Sequence, residues 1–123
     1  MMSNYTATKL TPMLESHDIQ ATLKFYTEIL NFTCAAKFDD LSWLTLRKDE
    51  IEIMFCTPNK HRNIPKSIMS GSLYINTNEV SALRENLKEV CEICYPLEDF
   101  DYGMREFAIY DNNGYLLQFG QDL

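Results

Sequence analysis

The sequence predicts an α+β fold in which one βαβββ module occurs twice in tandem. Two amphipathic segments with helical spacing lie about sixty residues apart, and each follows a short strand-like run. Three further β-rich segments follow each helix, and an internal repeat of this length indicates a duplicated module. We therefore expect a single domain over residues 1–123, with module one at about 8–57, a connector at 58–70 and module two at about 71–121.

Module one is predicted to begin with the strand LTPMLES, residues 10–16, and to continue into a helix after Asp18. The Asp18 carboxylate is a suitable N-cap because it can accept hydrogen bonds from the unpaired amides of the first turn. Apolar residues then recur at helical spacing, at Ile19, Leu23, Tyr26, Ile29 and Leu30. Three strands are expected to follow: FTCAAKF at 32–38, SWLTLRK at 42–48 and EIEIMFC at 50–56.

Module two repeats this order, with the strand GSLYINT at 71–77 before a helix that begins after Asn78. The helical stripe consists of Val80, Leu83, Leu87 and Val90. The strands that follow are CEICYPL at 91–97, MREFAIY at 104–110 and YLLQFG at 115–120. The last two are joined by the turn 111–114, whose Asn and Gly tolerate positive φ. The connector, with its two prolines and several basic residues, fits either a solvated crossing or a lid over a cavity.

Composition and charge exclude several classes of partner. The net charge of −7 disfavours nucleic acid, because phosphate binding needs a basic face. No apolar run approaches the roughly 20 residues of a membrane span, and the N-terminal MMSNYTATK lacks the apolar core of a signal peptide. We therefore expect a cytoplasmic protein that binds neither nucleic acid nor membrane.

The cysteines and histidines do not form a recognisable metal or redox motif. Cys91 and Cys94 make a CxxC pair, but no glycine-proline pair or following helix supports a redox role. The two histidines, His17 and His61, lie in unrelated contexts. Reduced thiols partly buried in strands are the expected outcome.

Two motifs carry a resemblance to a known family. The segments HDIQATLKFYTEILNF (17–32) and YGMREFAIYDNNGYLLQFG (102–120) resemble the vicinal-oxygen-chelate superfamily of glyoxalase I, extradiol dioxygenases and bleomycin-resistance proteins. The second motif is closest to the bleomycin-resistance branch, in which a strand proline, here Pro12, acts as a hinge between dimer partners. Asn31 and Asn112 depart from the family pattern. The resemblance implies a homodimer and curved, cup-like mixed sheets with helices outside.

The resemblance also implies where a catalytic metal would be held. The family's four ligand places correspond to Thr11, Met54, Ser72 and Gln118. This set supplies no imidazole and no carboxylate, so it would hold a transition metal poorly. We therefore expect no metal and no cofactor, although Glu52 and Glu106 with His61 could form an alternative site.

The cup is expected to bind a flat cationic ligand. Tyr102 occupies the place of the family's stacking aromatic, and the acids Glu98, Asp99 and Asp101 lie beside it. Aromatic faces flanked by carboxylates suit such a cation. Arg105 is expected to point to the face opposite Glu106. The predicted ligand-binding residues are Phe38, Trp43, Glu52, Met54, Tyr102, Glu106 and Gln118.

The function expected from the resemblance is sequestration without metal catalysis. A small cationic, partly aromatic molecule, such as a cationic glycopeptide antibiotic, would bind in a groove of the dimer. The alternative is an enzyme, either a metal-dependent glyoxalase I-like lyase or extradiol dioxygenase, or an activity with Glu52 or Glu106 as general base. A third interpretation is a relative that serves only to bind a protein partner.

Overall fold

The computed structural model describes residues 4–62 and 64–123, and it confirms the α+β fold with two βαβββ modules. The elements of module one are β1 (Met13–Glu15), α1 (Ile19–Lys24), β2 (Thr33–Lys37), β3 (Trp43–Lys48) and β4 (Ile51–Cys56). The elements of module two are β5 (Leu73–Asn76), α2 (Val80–Leu87), β6 (Glu92–Phe100), β7 (Met104–Tyr110) and β8 (Leu116–Asp122). No helix in the described part of the chain is long and apolar enough to cross a bilayer.

The two modules form two open, four-stranded mixed sheets with the same topology. The strand orders are β1-β4-β3-β2 and β5-β8-β7-β6, and the first strand of each module runs parallel to its last. Met54 pairs with Met13 and Thr45 in one sheet, as Gln118 pairs with Tyr74 and Ala108 in the other. Places in the two sheets can therefore be matched residue by residue.

The first helix begins as the sequence predicts. The Asp18 side chain accepts a hydrogen bond from the Ala21 amide at 3.0 Å. Helix α1 then continues into a π-helical turn, Phe25–Ile29, which completes the predicted apolar stripe.

The second helix is capped by a different residue from the one expected. Glu79, not Asn78, is the N-cap, and it lies in the left-handed region with φ of 51°. Its side chain makes no capping hydrogen bond. Instead, the Val80 amide donates to the side-chain oxygen of Gln121 at 2.8 Å, so the cap comes from β8.

One apolar core serves both modules. The Tyr26 ring packs 5.2 Å from that of Phe55, and its hydroxyl donates to the buried Asp111 carboxylate of module two at 2.6 Å. In return, the Tyr115 hydroxyl of module two donates to the Glu15 carbonyl oxygen at 2.6 Å. Since these buried contacts cross between the modules, the two sheets are held at a fixed position relative to each other.

Each sheet has one face toward this core and one face away from it. On β7, Phe107 and Ile109 are buried in the core, whereas the alternate residue Glu106 points to the other side. We call the surface of the first sheet that faces away from the core the module-one face, and define it by Trp43, Thr45, Arg47, Glu52 and Met54. The surface of the second sheet that faces away from the core is the module-two face, defined by Tyr74, Tyr95, Glu106 and Gln118 with Ser72, which donates to Gln118.

Candidate functional site

A buried carboxylate surrounded by tyrosine hydroxyls lies at the centre of the module-two face. Glu106 is only 1% exposed. It accepts hydrogen bonds from Tyr74 at 2.9 Å, from Tyr102 at 2.7 Å and from Tyr95. We call Glu106 and these three tyrosines the Glu106 centre.

The charge of Glu106 is stabilised by neutral hydrogen-bond donors. Within the described residues, no lysine, arginine or histidine forms an ion pair with Glu106. Burial by itself opposes ionisation, but the hydrogen bonds from the three phenols hold the pKa of Glu106 below its usual value. Among the residues that the structure describes, this buried negative charge therefore has no cationic partner.

The same hydrogen bonds keep the phenols protonated. Burial, followed by the hydrogen bond to Glu106, raises the pKa of both Tyr74 and Tyr95. The hydrogen bond to Glu106 raises the pKa of Tyr102 to about 12. A phenol with a raised pKa stays protonated and is a poor acid near neutral pH, and a carboxylate with a lowered pKa is a poor base. The geometry therefore gives Glu106 little strength as a general base.

The hydrogen-bond network continues through Gln118 to Ser72, the residue directly before β5. The Gln118 amide nitrogen donates to the Tyr95 hydroxyl oxygen at 2.9 Å. Its amide oxygen accepts a hydrogen bond from the Ser72 hydroxyl. Two of the family's implied metal-ligand places therefore belong to this network.

Gly120 makes room for one of the three tyrosines. A Cβ atom at this position would overlap the Tyr74 hydroxyl. Gly120 is the direct register partner of Glu106 on the neighbouring strand. The absence of a side chain therefore lets Tyr74 cross β8 to reach the carboxylate.

An aromatic wall stands beside the Glu106 centre on the β6–β7 hairpin. The rings of Phe100 and Tyr102 are stacked, with centroids 5.4 Å apart and planes inclined by 16°. Tyr95 meets Phe100 edge to face at 5.9 Å. Because Tyr102 is 62% exposed, its ring offers a free face to a ligand.

The module-one face contains a different arrangement of charge. The Glu52 carboxylate forms ion pairs with Lys9 and Arg47, both at 2.7 Å. The hydrogen bonds from Lys9 and then Arg47 lower the pKa of Glu52. Two cations therefore already neutralise Glu52.

An aromatic pair lies at the β2–β3 end of the same face. The Phe38 and Trp43 rings are 5.0 Å apart, and Phe38 is 55% exposed. Trp43 and Phe38 therefore present a free apolar surface next to the open face of the first sheet.

The predicted site residues are brought together as two groups. Tyr102, Glu106 and Gln118 share one hydrogen-bonded network on the module-two face. Phe38 and Trp43 form the aromatic pair, and Glu52 and Met54 lie on β4 of module one. Arg105 points away from Glu106 and binds the Asp99 carboxylate at 2.7 Å, as the strand alternation predicts.

Two members of the Glu106 centre were missed by the sequence reasoning. Tyr74 could have been found, because it lies two residues after Ser72 in the predicted strand 71–77 and would share its face. Tyr95 could not be found in this way, because β6 is irregular on both sides of it.

The four implied metal-ligand places do not fit a metal ion. The Ser72 hydroxyl and the Gln118 amide oxygen bond to each other, and Met54 offers only a thioether. Thr11 adds a neutral hydroxyl. Nickel, zinc and iron prefer imidazole, thiolate or carboxylate ligands, so this donor set is unsuited to them.

A pocket of about 450 Å³ lies between the N-terminal segment and the β3–β4 hairpin of module one and strand β5 of module two. Its lining includes Lys9, Arg47 and Glu52 from module one and Ser72 and Tyr74 from module two. Tyr74 therefore belongs both to this pocket and to the Glu106 centre.

Comparison with protein families identifies the fold. Residues 12–119 match the model of the Glyoxalase/Bleomycin resistance protein/Dioxygenase superfamily. The chain belongs to this superfamily. No curated protein matches the chain.

Several solved structures share the architecture of this chain at low sequence identity. A protein of unknown function from Agrobacterium tumefaciens str. C58 has a TM-score of 0.80 at 20% identity, covering 97% of this chain and 98% of that one. The bleomycin resistance determinant encoded on transposon Tn5 has a TM-score of 0.73 at 22% identity, covering 94% and 98%. Lactoylglutathione lyase from Agrobacterium tumefaciens has a TM-score of 0.70 at 13% identity, covering 96% of each chain. These neighbours show the fold of the superfamily.

Proposed function

We propose that this protein sequesters a small cationic, partly aromatic molecule in a groove of a homodimer, without metal catalysis. The observation that carries the proposal is the exposed Tyr102 ring, stacked on Phe100, whose hydroxyl donates to the buried Glu106 carboxylate. A flat cation gains from both, because the ring contributes stacking and cation–π attraction and the carboxylate contributes charge.

The surrounding acids support the same type of ligand. Glu98, Asp99 and Asp101 flank the aromatic wall, and only Asp99 among them is held by an arginine, Arg105. The field of a negatively charged surface raises the local concentration of cations and speeds their association. The similarity to the Tn5 bleomycin resistance determinant adds support at the level of the fold.

The unsuitable donor set at the family's metal places supports binding rather than metal chemistry. Thr11, Met54, Ser72 and Gln118 would not hold a divalent ion at one point. Glu106 does not replace them, because three phenols already occupy most of its acceptor positions.

A fluorescence titration tests the proposal. Trp43 is the single tryptophan, so its emission reports ligand binding near the module-one face. We expect metal-free bleomycin or the flat dication 4′,6-diamidino-2-phenylindole to quench Trp43 saturably. Tyr102→Ala should weaken the binding about tenfold through loss of the stacking face, and Tyr102→Trp should keep it.

Two controls separate the contributions of ring and charge. Neutral 2-phenylindole has a similar ring system without the charge, and we expect it to bind more weakly. Salt should weaken binding of the dication as the Debye length falls from about 10 Å at 0.1 M to about 3 Å at 1 M. If neither bleomycin nor the dication binds, the sequestering function is wrong.

A further inference from the structure

The hydrogen-bond donors of the Glu106 centre are already committed. Each phenol has one proton, and Tyr74, Tyr95 and Tyr102 all donate theirs to Glu106. Tyr74 and Tyr102 are exposed residues, so what their hydroxyls can offer to a ligand is oxygen lone pairs. To a ligand, the Glu106 centre therefore offers hydrogen-bond acceptors, the phenol oxygens, next to the negative charge of Glu106.

The carboxylate also makes those phenol oxygens better acceptors. A hydroxyl that donates to an ionised group is polarised, and hydrogen bonds in such a chain strengthen one another. The buried Glu106 has no cationic partner within the described residues, so its charge is not cancelled locally. A bound cation would supply the missing opposite charge.

The orientation of the tyrosines distinguishes this centre from an aromatic cage. A cage for quaternary ammonium groups presents ring faces to the cation. Here the rings turn their hydroxyl edges toward Glu106. An edge arrangement with free oxygen lone pairs favours a cation that carries N–H groups.

We propose that the Glu106 centre selects ligands with an N–H-bearing organic cation, a protonated amine or amidinium, against quaternary ammonium groups of the same charge. The N–H groups donate to the oxygens of Tyr74 and Tyr102, while the attached ring stacks on the aromatic wall. This inference rests on the proposed sequestering function and adds to it the chemical class of the recognised cation.

A matched pair of ligands tests the selectivity. 2-Naphthylmethylammonium and its N,N,N-trimethyl derivative share the ring and the charge, and they differ in the N–H groups. By calorimetry, we expect the primary amine to bind about tenfold more tightly, the size expected for charge-assisted hydrogen bonds. Tyr102→Phe keeps the stacking ring and removes one acceptor oxygen, so it should weaken the primary amine severalfold and leave the quaternary one unchanged.

Two charge variants complete the test. Glu106→Gln keeps the side-chain shape and removes the charge, and it should abolish most of the preference for the primary amine. Glu98→Gln is the matched control, because Glu98 is the exposed register partner of Glu106 on β6. It removes an equal charge, and we expect it to weaken both ligands equally and keep their ratio.

The outcomes distinguish this inference from the function on which it rests. Equal affinity for the two ligands, or preference for the quaternary one, would overturn the selectivity and leave sequestration standing. An unchanged preference in Tyr102→Phe and Glu106→Gln would also overturn it. If neither naphthyl compound binds, and bleomycin and the indole dication do not bind either, then both the proposed function and this inference are wrong.

Discussion

The two sheet faces have the same backbone and opposite chemistry. Trp43 pairs with Cys56 at the place where Glu106 pairs with Gly120 in the second module. One module therefore has an aromatic ring where the other has a buried carboxylate. The duplicated backbone makes the positions of Trp43 and Glu106 equivalent, but their side chains make the first apolar and the second anionic.

The faces also differ in how they compensate a carboxylate. Glu52 is held by the cations Lys9 and Arg47 at the surface, whereas Glu106 is held by neutral phenols and is buried. Ion pairing cancels a charge, but hydrogen bonds from phenols stabilise it without cancelling it. The difference supports our proposal that the module-two face binds the cation and that the module-one face contributes apolar surface.

The largest expected effect tests whether the two faces act together across a dimer. If each groove combines the module-one face of one chain with the module-two face of its partner, two defective variants should complement each other. We expect Trp43→Ala and Tyr102→Ala each to bind the indole dication weakly as homodimers. When the two chains are co-expressed, about a quarter of all grooves should regain wild-type affinity, because half of the dimers are mixed and each mixed dimer has one intact groove.

Dye fluorescence and light scattering provide the measurement and its control. The mixed preparation should scatter as a dimer and show a tight phase that neither variant shows alone. A monomer mass at micromolar concentration would contradict the dimer. A dimer without the tight phase would place each groove within one chain.

A smaller effect is expected from the residue that makes room for Tyr74. Gly120→Ala should push Tyr74 away from Glu106 and cost about 1–3 kcal/mol of unfolding free energy, the usual range for overpacking. Cys56→Ala is the matched variant at the equivalent place in module one, where it only shortens a half-buried side chain. Urea unfolding should show a clear loss for Gly120→Ala and a smaller one for Cys56→Ala. If the two variants lost the same unfolding free energy, the contact of Tyr74 with Glu106 would not contribute measurably to stability.

The sequence was sufficient to predict the fold and to name some residues of the candidate site. Repeated helical and strand periods predicted both modules, and alternation along β7 predicted that Glu106 and Arg105 point to opposite sides. The three phenols were not predicted as a set. Tyr95 and Glu98 share a face although they are three residues apart, because β6 has register shifts that simple alternation cannot anticipate.

Long-range side-chain contacts account for the rest of what the sequence could not show. The cap of α2 comes from Gln121, more than forty residues away, so local capping rules pointed to Asn78 instead. Glu52 was predicted as a ligand contact, but its ion pair with Lys9 depends on the path of the N-terminal segment. A charged side chain can pair with a ligand only if it does not already form an ion pair with a residue from elsewhere in the chain.

The smallest expected effect concerns the pH and salt dependence of the two carboxylates. Both Glu52 and Glu106 have lowered pKa values, so each contributes stability that is present above the pKa of the unfolded chain. That contribution is lost as the pH falls through the lower, folded value. We therefore expect the melting temperature of the wild type, relative to Glu52→Gln or Glu106→Gln, to decline between about pH 5 and pH 3.

Salt should separate the two carboxylates. The ion pairs of Glu52 lie at the surface, so raising the salt from 0.1 M to 1 M should remove most of the pH-dependent difference between the wild type and Glu52→Gln. The donors to Glu106 are neutral phenols in a buried position, and the corresponding difference for Glu106→Gln should persist. Thermal melts at both salt concentrations measure this directly. If salt reduced the pH-dependent difference equally for Glu52→Gln and Glu106→Gln, our contrast between the two carboxylates would be wrong. Glu52 would then not be the only one of the two that depends on ion pairs.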